Sequence, residues 1–571
     1  MTTWSPHAQP LVPGWVPPPG SARRLRAFTE ADLVGRWALD FHTPRGLVPL
    51  AFALVDDLAA GAMAAAAELR LPGGIQARLV GCHLYLGVLP GEAPGAAAGQ
   101  APSGAASSTP DDSLPAELTT YALGFRRHWA ALAAELSGDL DALDRVDLPA
   151  LSDAELLTHW HRARRLHRRA WQVHFDVMYR LMTVHEHYLA VCARHGVAEV
   201  DATRMIEGET NGIGDADRAV RALADSARDG GFARILVRTP TTRVLAALRR
   251  EPAAAAFVRD LARVQARYGR RTNSLFDLES APWSVEATQL LALVRSALVA
   301  GPPRRSWGSA DARALTEQVL AGASPAAANE LEEAWRLAVA GNASWWNEEH
   351  NHVIDLRAHL PVADAAGEFA RRRGLARPQA LHLLAEEFEA MLRGELSWAN
   401  VEDVVAERIA FTSACRSRRR ELPAGLGSSV EVPDDVVFRQ VMGVGRAGDQ
   451  FGEETLQGYG VSPGVARGTV RVVSHAEDIV LLRQGDVLVC AATSPSWTPA
   501  FDRIAAAVCD GGGLLTHAAI ISREYGVPCV CATMVGTTAL HEGDVVEVDG
   551  TAGTVRLITR SPVRARQGAG A

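Results

Sequence analysis

The sequence predicts a multidomain fold: a large, mostly α-helical domain followed by a compact C-terminal α/β domain. Three observations lead there. At 571 residues the chain exceeds what one ordinary domain holds. From Glu117 to about Val441, apolar residues recur at three and four positions among alanine, leucine and arginine, as in Leu156-Leu-Thr-His-Trp. After residue 441 that periodicity gives way to short β-branched runs divided by glycine, proline and aspartate.

In chain order, residues 1–28 read as an extended arm, because positions 1–20 are rich in proline and glycine. Residues 29–442 form the mostly helical domain, with a strand-like stretch from Ala77 to Val88. Within it, residues 91–115 are a low-complexity loop with nothing to bury. Short turns at Gly230-Gly231, Pro302-Pro303 and Pro361 break the helices. Residues 443–460, glycine-rich and acidic, read as a linker with a reach of about 60 Å if extended. The α/β domain occupies 461–560, with strands expected at Thr469–Val473, Asp486–Cys490, Ala506–Cys509, Cys529–Cys531, Asp544–Val548 and Thr554–Leu557. Helices are expected at about Trp497–Ala506 and Thr516–Tyr525, and Asp549-Gly550 marks a tight turn. The polar tail 561–571 reads as disordered.

Composition narrows the chemistry. Hydrophobic residues make up 48% and charged residues 22%, ordinary values for globular protein. A net charge of −8 provides no footprint for nucleic acid, and the run Arg162–Arg169 reads as a solvated helix face. All 58 Lys+Arg residues are arginine, which excludes a Schiff base, pyridoxal attachment and a P-loop lysine. The seven cysteines lie mostly in apolar runs without a C-x-x-C pair, so they read as reduced thiols packed in strands rather than zinc ligands. Neither a signal peptide nor an apolar run of membrane-spanning length is recognised, so the expected location is the cytoplasm with no membrane partner.

The chemistry concentrates in Cys509-Asp-Gly-Gly-Gly-Leu-Leu-Thr-His-Ala-Ala-Ile-Ile-Ser-Arg-Glu-Tyr-Gly-Val-Pro. A strand ends at Cys509 and the glycines Gly511, Gly512 and Gly513 follow. Thr516 is then placed to cap a helix that starts at His517 and stops at Gly526. An imidazole at the positive end of a helix, beside free backbone N–H groups, stays neutral near pH 7 in a place that stabilises an anion. Such a ring is a nucleophile suited to a phosphoryl group, and the Thr516 hydroxyl is placed to orient it or to bond a phosphate oxygen.

This stretch resembles the mobile phosphohistidine domain of the PEP-utilising enzymes, which include phosphoenolpyruvate synthase, pyruvate phosphate dikinase and rifampicin phosphotransferase. The matching residues are Gly512-Gly513, Thr516-His517-Ala518-Ala519 and Arg523-Glu524-Tyr525-Gly526-Val527-Pro528. Val461-Ser-Pro-Gly-Val-Ala-Arg-Gly, Thr493-Ser-Pro-Ser-Trp-Thr-Pro and Glu542-Gly-Asp-Val-Val-Glu-Val-Asp-Gly extend the match. The resemblance implies that His517 is phosphorylated, that Gly511, Gly512, Gly513, Thr516 and Arg523 support its loop and helix start, and that the domain swivels.

The helical part is similar to the substrate domain of rifampicin phosphotransferase and to the phenylphosphate synthase alpha subunit. Trp37-Ala-Leu-Asp-Phe-His-Thr-Pro, Tyr268-Gly-Arg-Arg and Trp346-Asn-Glu-Glu-His-Asn-His-Val-Ile-Asp carry that likeness. His350 and Asn351, with Asn347 or Glu348, put polar groups on adjacent helical positions, as deprotonating a hydroxyl requires. His42 and Arg271 are further candidates for meeting substrate or phosphate. No metal is expected, since His350 and His352 point to different helix faces and His185-Glu186-His187 lacks ligand spacing.

The chain opens on what resembles the acceptor region, without the ATP-grasp domain that precedes it in those enzymes. The resemblance therefore implies a separate ATP-grasp partner that binds ATP and magnesium, this chain holding no tight cofactor. A small-molecule acceptor in antibiotic modification or specialised metabolism is expected. Two other readings are a dehydratase that works by phosphorylation and elimination, and a non-catalytic phosphocarrier whose helical domain has no enclosed pocket.

Overall fold

The computed structural model describes residues 32, 35–40, 42–43, 45–71, 74–88, 114–272, 274–300, 307–419, 422, 425–427, 454–474, 476–493 and 495–561. The expected arm 1–28, loop residues 91–113, the Pro302-Pro303 break, linker residues 443–453 and tail residues 562–571 lie outside them.

The helical part is organised by one 42-residue helix, Asp153–Arg194. Its start is fixed by a capping box: the Ser152 side chain accepts from the Glu155 N–H, and Glu155 accepts from the Ser152 N–H. The alanine-rich helix Phe52–Glu68 lies along it, close enough that a Cβ on Gly61 would sit 2.7 Å from the Gln172 backbone nitrogen. By length and hydropathy Pro49–Glu68 is sufficient to cross a membrane, contrary to the expectation from the sequence. Here 67% of that window is buried inside the fold, the signature of a core helix. Of the arginine run, Arg164 and Arg168 turn inward onto the buried Asp57, so that face is only partly solvated.

A small antiparallel sheet flanks these helices. It contains Arg36–Leu39 (β1), Gln76–Val80 (β2), His83–Val88 (β3) and Gly425–Gly427 (β4), in the order β2-β3-β1-β4. The strand-like stretch 77–88 is thus a hairpin. Strand β4 joins from the far end of the helical part, a pairing that no local pattern announces.

The C-terminal part is an eight-stranded sheet built from Thr455–Gln457 (β5), Tyr459–Ser462 (β6), Val465–Val472 (β7), Val487–Cys490 (β8), Ala506–Cys509 (β9), Cys529–Cys531 (β10), Val545–Asp549 (β11) and Thr554–Thr559 (β12). The order is β5-β12-β11-β7-β8-β9-β10-β6, with β7 to β10 parallel and the remaining pairs antiparallel. Two expectations change. Residues 455–460, read as linker, are strands of this sheet. The helix expected at Trp497–Ala506 is a 3-10 turn, Pro495–Ala500, because Pro499 interrupts it and Ala506 already belongs to β9.

The alternation of the central strands separates two cores. Val487, Val489, Ala506, Val508 and Val530 face one side with Val546 and Val548. Leu488, Cys490, Ala507, Cys509, Cys529 and Cys531 face the other, where they join the core of the helical part. All seven cysteines are free and buried, but only four lie in strands: Cys192 and Cys415 are on helices and Cys82 is in the β2–β3 turn. The α/β unit is therefore not separate: Leu514, Leu515, Ala518, Ala519 and Ile521 lie in the same apolar core as the long helix.

Candidate functional site

The strand β9, the glycine turn and helix His517–Tyr525 follow one another as expected. Gly512 adopts φ +108°, and a Cβ there would meet the Thr516 hydroxyl at 2.9 Å. Gly526 ends the helix in the left-handed conformation, its N–H bonded to the Arg523 and Ser522 carbonyls. Thr516 has the extended backbone of an N-cap, but its hydroxyl donates to the Gly513 carbonyl at 2.8 Å and caps nothing. The side chain thus braces the glycine turn, leaving the first-turn N–H groups without a side-chain cap.

The ring is held by two threonines that residue-by-residue reasoning missed. Thr493 Oγ1 lies 2.8 Å from His517 Nδ1, and Thr498 Oγ1 lies 3.3 Å from Nε2. Phe501 stands edge-on at 6.5 Å. The imidazole is 6% exposed, and burial pushes its pKa down to about 3, so it is neutral at pH 7. Both threonines lie in the stretch Thr493–Pro499, which was the available signal.

Arg523 is fully buried. It binds the buried Glu207 of the helical part at 2.5–3.0 Å and donates to the Val461 and Leu514 carbonyls. It supports the glycine loop only through Leu514, and its charge latches the two parts together. Arg221 pairs with Asp502 and donates to the Tyr525 hydroxyl at 2.8 Å. Arg503 donates to Ser296 Oγ at 2.9 Å, and the Trp307 N–H to the Glu524 carbonyl at 2.6 Å.

Helix His517–Tyr525 rests against helix Ala343–Val353, which carries four of the acceptor candidates. Glu348 is buried, neither carboxylate oxygen has a hydrogen-bond partner, and burial together with the charges of Glu524, Asp355 and Glu207 pushes it up to about 8. Asn351 Nδ2 donates to the Asn347 carbonyl at 2.5 Å, bracing its own helix. His350 Nδ1 is 3.0 Å from the Trp346 carbonyl, and its Nε2 is 3.5 Å from Asp355. On the other side of Asp355 stands His174 of the long helix, Nδ1 at 3.9 Å. Burial and the neighbouring His350 hold His174 well below its ordinary value. Asp355 stays down at about 2: burial pushes it up, but His350, His174 and His42 outweigh that.

His42 reaches this group from the loop after β1. Its Nδ1 is 2.8 Å from Asp40, whose other oxygen accepts from the Thr43 N–H and hydroxyl. Burial works against the imidazolium, yet Asp40 and Asp355 together raise its pKa. Arg419 lies within charge–charge range of both Asp40 and Asp510, the residue that opens the glycine turn. The fold therefore brings His42 and His350 together and adds His174 and Asp355, which sequence reasoning had not singled out. Asp355 closed the quoted Trp346–Asp355 stretch; His174 carried no local signal. Arg271 lies elsewhere, 4.0 Å over the Trp283 ring, with Asp217, Tyr268 and His352 around it.

Comparison with known proteins agrees with this layout. Residues 482–553 match the family described as PEP-utilising enzyme, mobile domain, and residues 173–348 match the rifampicin phosphotransferase fourth domain. A chondramide synthase of Chondromyces crocatus is 29% identical over 76% of this chain and 12% of its own length. The uncharacterized phosphotransferase YvkC of Bacillus subtilis is 32% identical over 28% of the chain and 20% of its own. The rifampicin phosphotransferase of Bacillus cereus is 42% identical over 18% and 12%. The chain thus spans a fifth or less of the length of these relatives. Two stretches are thus similar to known families: 482–553 to the mobile domain of the PEP-utilising enzymes, and 173–348 to the fourth domain of rifampicin phosphotransferase.

Proposed function

We propose that this chain is a phosphotransferase-type subunit. His517 accepts a phosphoryl group from a separate ATP-dependent partner and passes it to a hydroxyl or carboxyl of a small organic acceptor at the helical part. The observation that carries the reading is the neutral, threonine-held His517 at the uncapped start of a helix that packs against the helix bearing His350. With Nδ1 engaged at 2.8 Å, the more loosely held Nε2 is the attacking nitrogen. In transfer to a hydroxyl, the acceptor oxygen bonds to phosphorus as the P–Nε2 bond breaks and its electron pair returns to the ring. The hydroxyl proton passes to His42, which Asp40 orients much as a carboxylate orients a general base.

The lysine-free composition supports placing ATP and magnesium on an ATP-grasp partner. The seven free buried thiols fit a reducing, cytoplasmic setting. The relatives named rifampicin phosphotransferase and chondramide synthase support an acceptor from antibiotic modification or specialised metabolism. A cleft of the helical part lined by Thr43, Gly46 and Asp277 holds about 20 Å³, room for one water.

The test is intact-mass analysis of the purified chain incubated with ATP, with and without the candidate partner. An acid-labile gain of one phosphate that needs the partner and vanishes in His517→Ala supports the reading. No gain with an active partner overturns it, and a phosphorylated chain that no acceptor discharges leaves the phosphocarrier.

A further inference from the structure

We propose that His174, His350 and Asp355 bind a divalent transition-metal ion, zinc in the first instance. Among the described residues this is the group whose ligand atoms all lie within 4.8 Å of one another. Two imidazoles and one carboxylate are a donor set for zinc and its first-row neighbours, rather than for the oxygen-seeking magnesium or calcium.

The hydrogen bonding argues for a cation between these side chains. The Trp346 carbonyl only accepts, so the His350 proton sits on Nδ1 and a neutral ring aims the Nε2 lone pair at Asp355, 3.5 Å away. Two electron-rich atoms face each other there unless a positive charge intervenes. An extra proton on His350 would satisfy that one contact. It would leave His174 Nδ1 and Asp355 Oδ1, both buried and both without a hydrogen-bond partner, as they are. One metal ion satisfies all three side chains at once. The bond from Nδ1 to a backbone carbonyl is also how a ligating histidine is commonly fixed.

The surroundings are built to hold such a centre still. Trp346 stacks on His350 at 4.3 Å, Trp171 lies 4.7 Å from His174, and the two imidazoles are 4.4 Å apart in an edge-on arrangement. Three protein ligands leave a coordination position open, the pattern of a catalytic centre rather than a closed structural one. The use of that position rests on the proposed phosphotransfer: an acceptor hydroxyl bound there would give up its proton more readily to His42. The metal site itself stands on its ligands alone.

The experiment takes the full chain, strips it with a chelator and titrates it with Co²⁺ as a visible probe, then with Zn²⁺. We expect one Co²⁺ per chain with ligand-field absorption, displaced by Zn²⁺. X-ray absorption of the zinc form should report two imidazole nitrogens and carboxylate oxygen at about 2.0–2.2 Å. Affinity should fall at least 100-fold in Asp355→Asn and His174→Ala and stay unchanged in His352→Ala and His517→Ala. No stoichiometric binding, unchanged affinity in the folded variants, or sulfur scattering from the cysteine face overturns the site. If those variants do not fold, the wild-type absorption spectrum alone decides. A chain that keeps the metal yet gains no phosphate from an active ATP-dependent partner would sink the phosphotransfer reading and leave this one standing.

Discussion

Around His517, each neighbouring side chain has one job that a single substitution can remove. Thr493 fixes Nδ1 from 2.8 Å. Thr493→Val should slow phosphorylation of His517 by up to roughly tenfold, the worth of one hydrogen bond, without changing the melting temperature. Equal rates would show that the hydroxyl does not position the ring. Gly512 serves the backbone instead. Gly512→Ala forces a side chain onto φ +108° and against Thr516, which should cost about 1–3 kcal/mol and show as a lower melting temperature. At this scale the sequence was legible where chemistry and local geometry coincide, as at His517, Gly512 and Gly526. It was not legible at Thr516, whose capping position was right but whose hydroxyl bonds Gly513. Nor did it show Arg523 reaching Glu207, a partner more than 300 residues away in the chain.

Among the elements, helix His517–Tyr525 serves two surfaces at once. Its start carries His517, and its last turn carries Arg523, Glu524 and Tyr525, which bind the helical part. Breaking the buried pair with Glu207→Ala strands the Arg523 charge and should cost about 3–5 kcal/mol. The expected readout is faster hydrogen exchange across 514–525. Unchanged exchange would show that the apolar contacts alone hold the carrier down. Burial, with Glu207 beside it, pushes Glu524 up to about 8, against the pull of Arg523; Asp217 and Arg218 act from the helical part and Glu348 faces it. A raised carboxyl pKa means that docking takes up a proton. The stabilisation is complete below the ordinary value of 4.5 and is lost as pH rises through about 8. Exchange across 514–525 should therefore quicken from pH 6 to 9 beyond the intrinsic pH effect, and Glu524→Gln should flatten that excess. The strands were readable from their β-branched runs, because alternation survives in short segments. β5 and β6 were hidden in a glycine-rich stretch, and β4 in a pairing made at long range.

At the scale of the whole molecule, one apolar core runs from the long helix into the carrier, so the two parts were legible as two textures but not as one packed body. His517 is 6% exposed and begins the helix whose last turn binds the helical part. A buried ring is shielded from any reagent in solution, and the proposed delivery of a phosphoryl group requires it to be uncovered. Acylation of His517 by diethyl pyrocarbonate, followed peptide by peptide, thus tests whether the C-terminal part leaves the helical part. Its rate should climb in Glu207→Ala and fall when a bound acceptor holds the carrier in place. The nucleophile would then report, from within the protein, how often the protein is open.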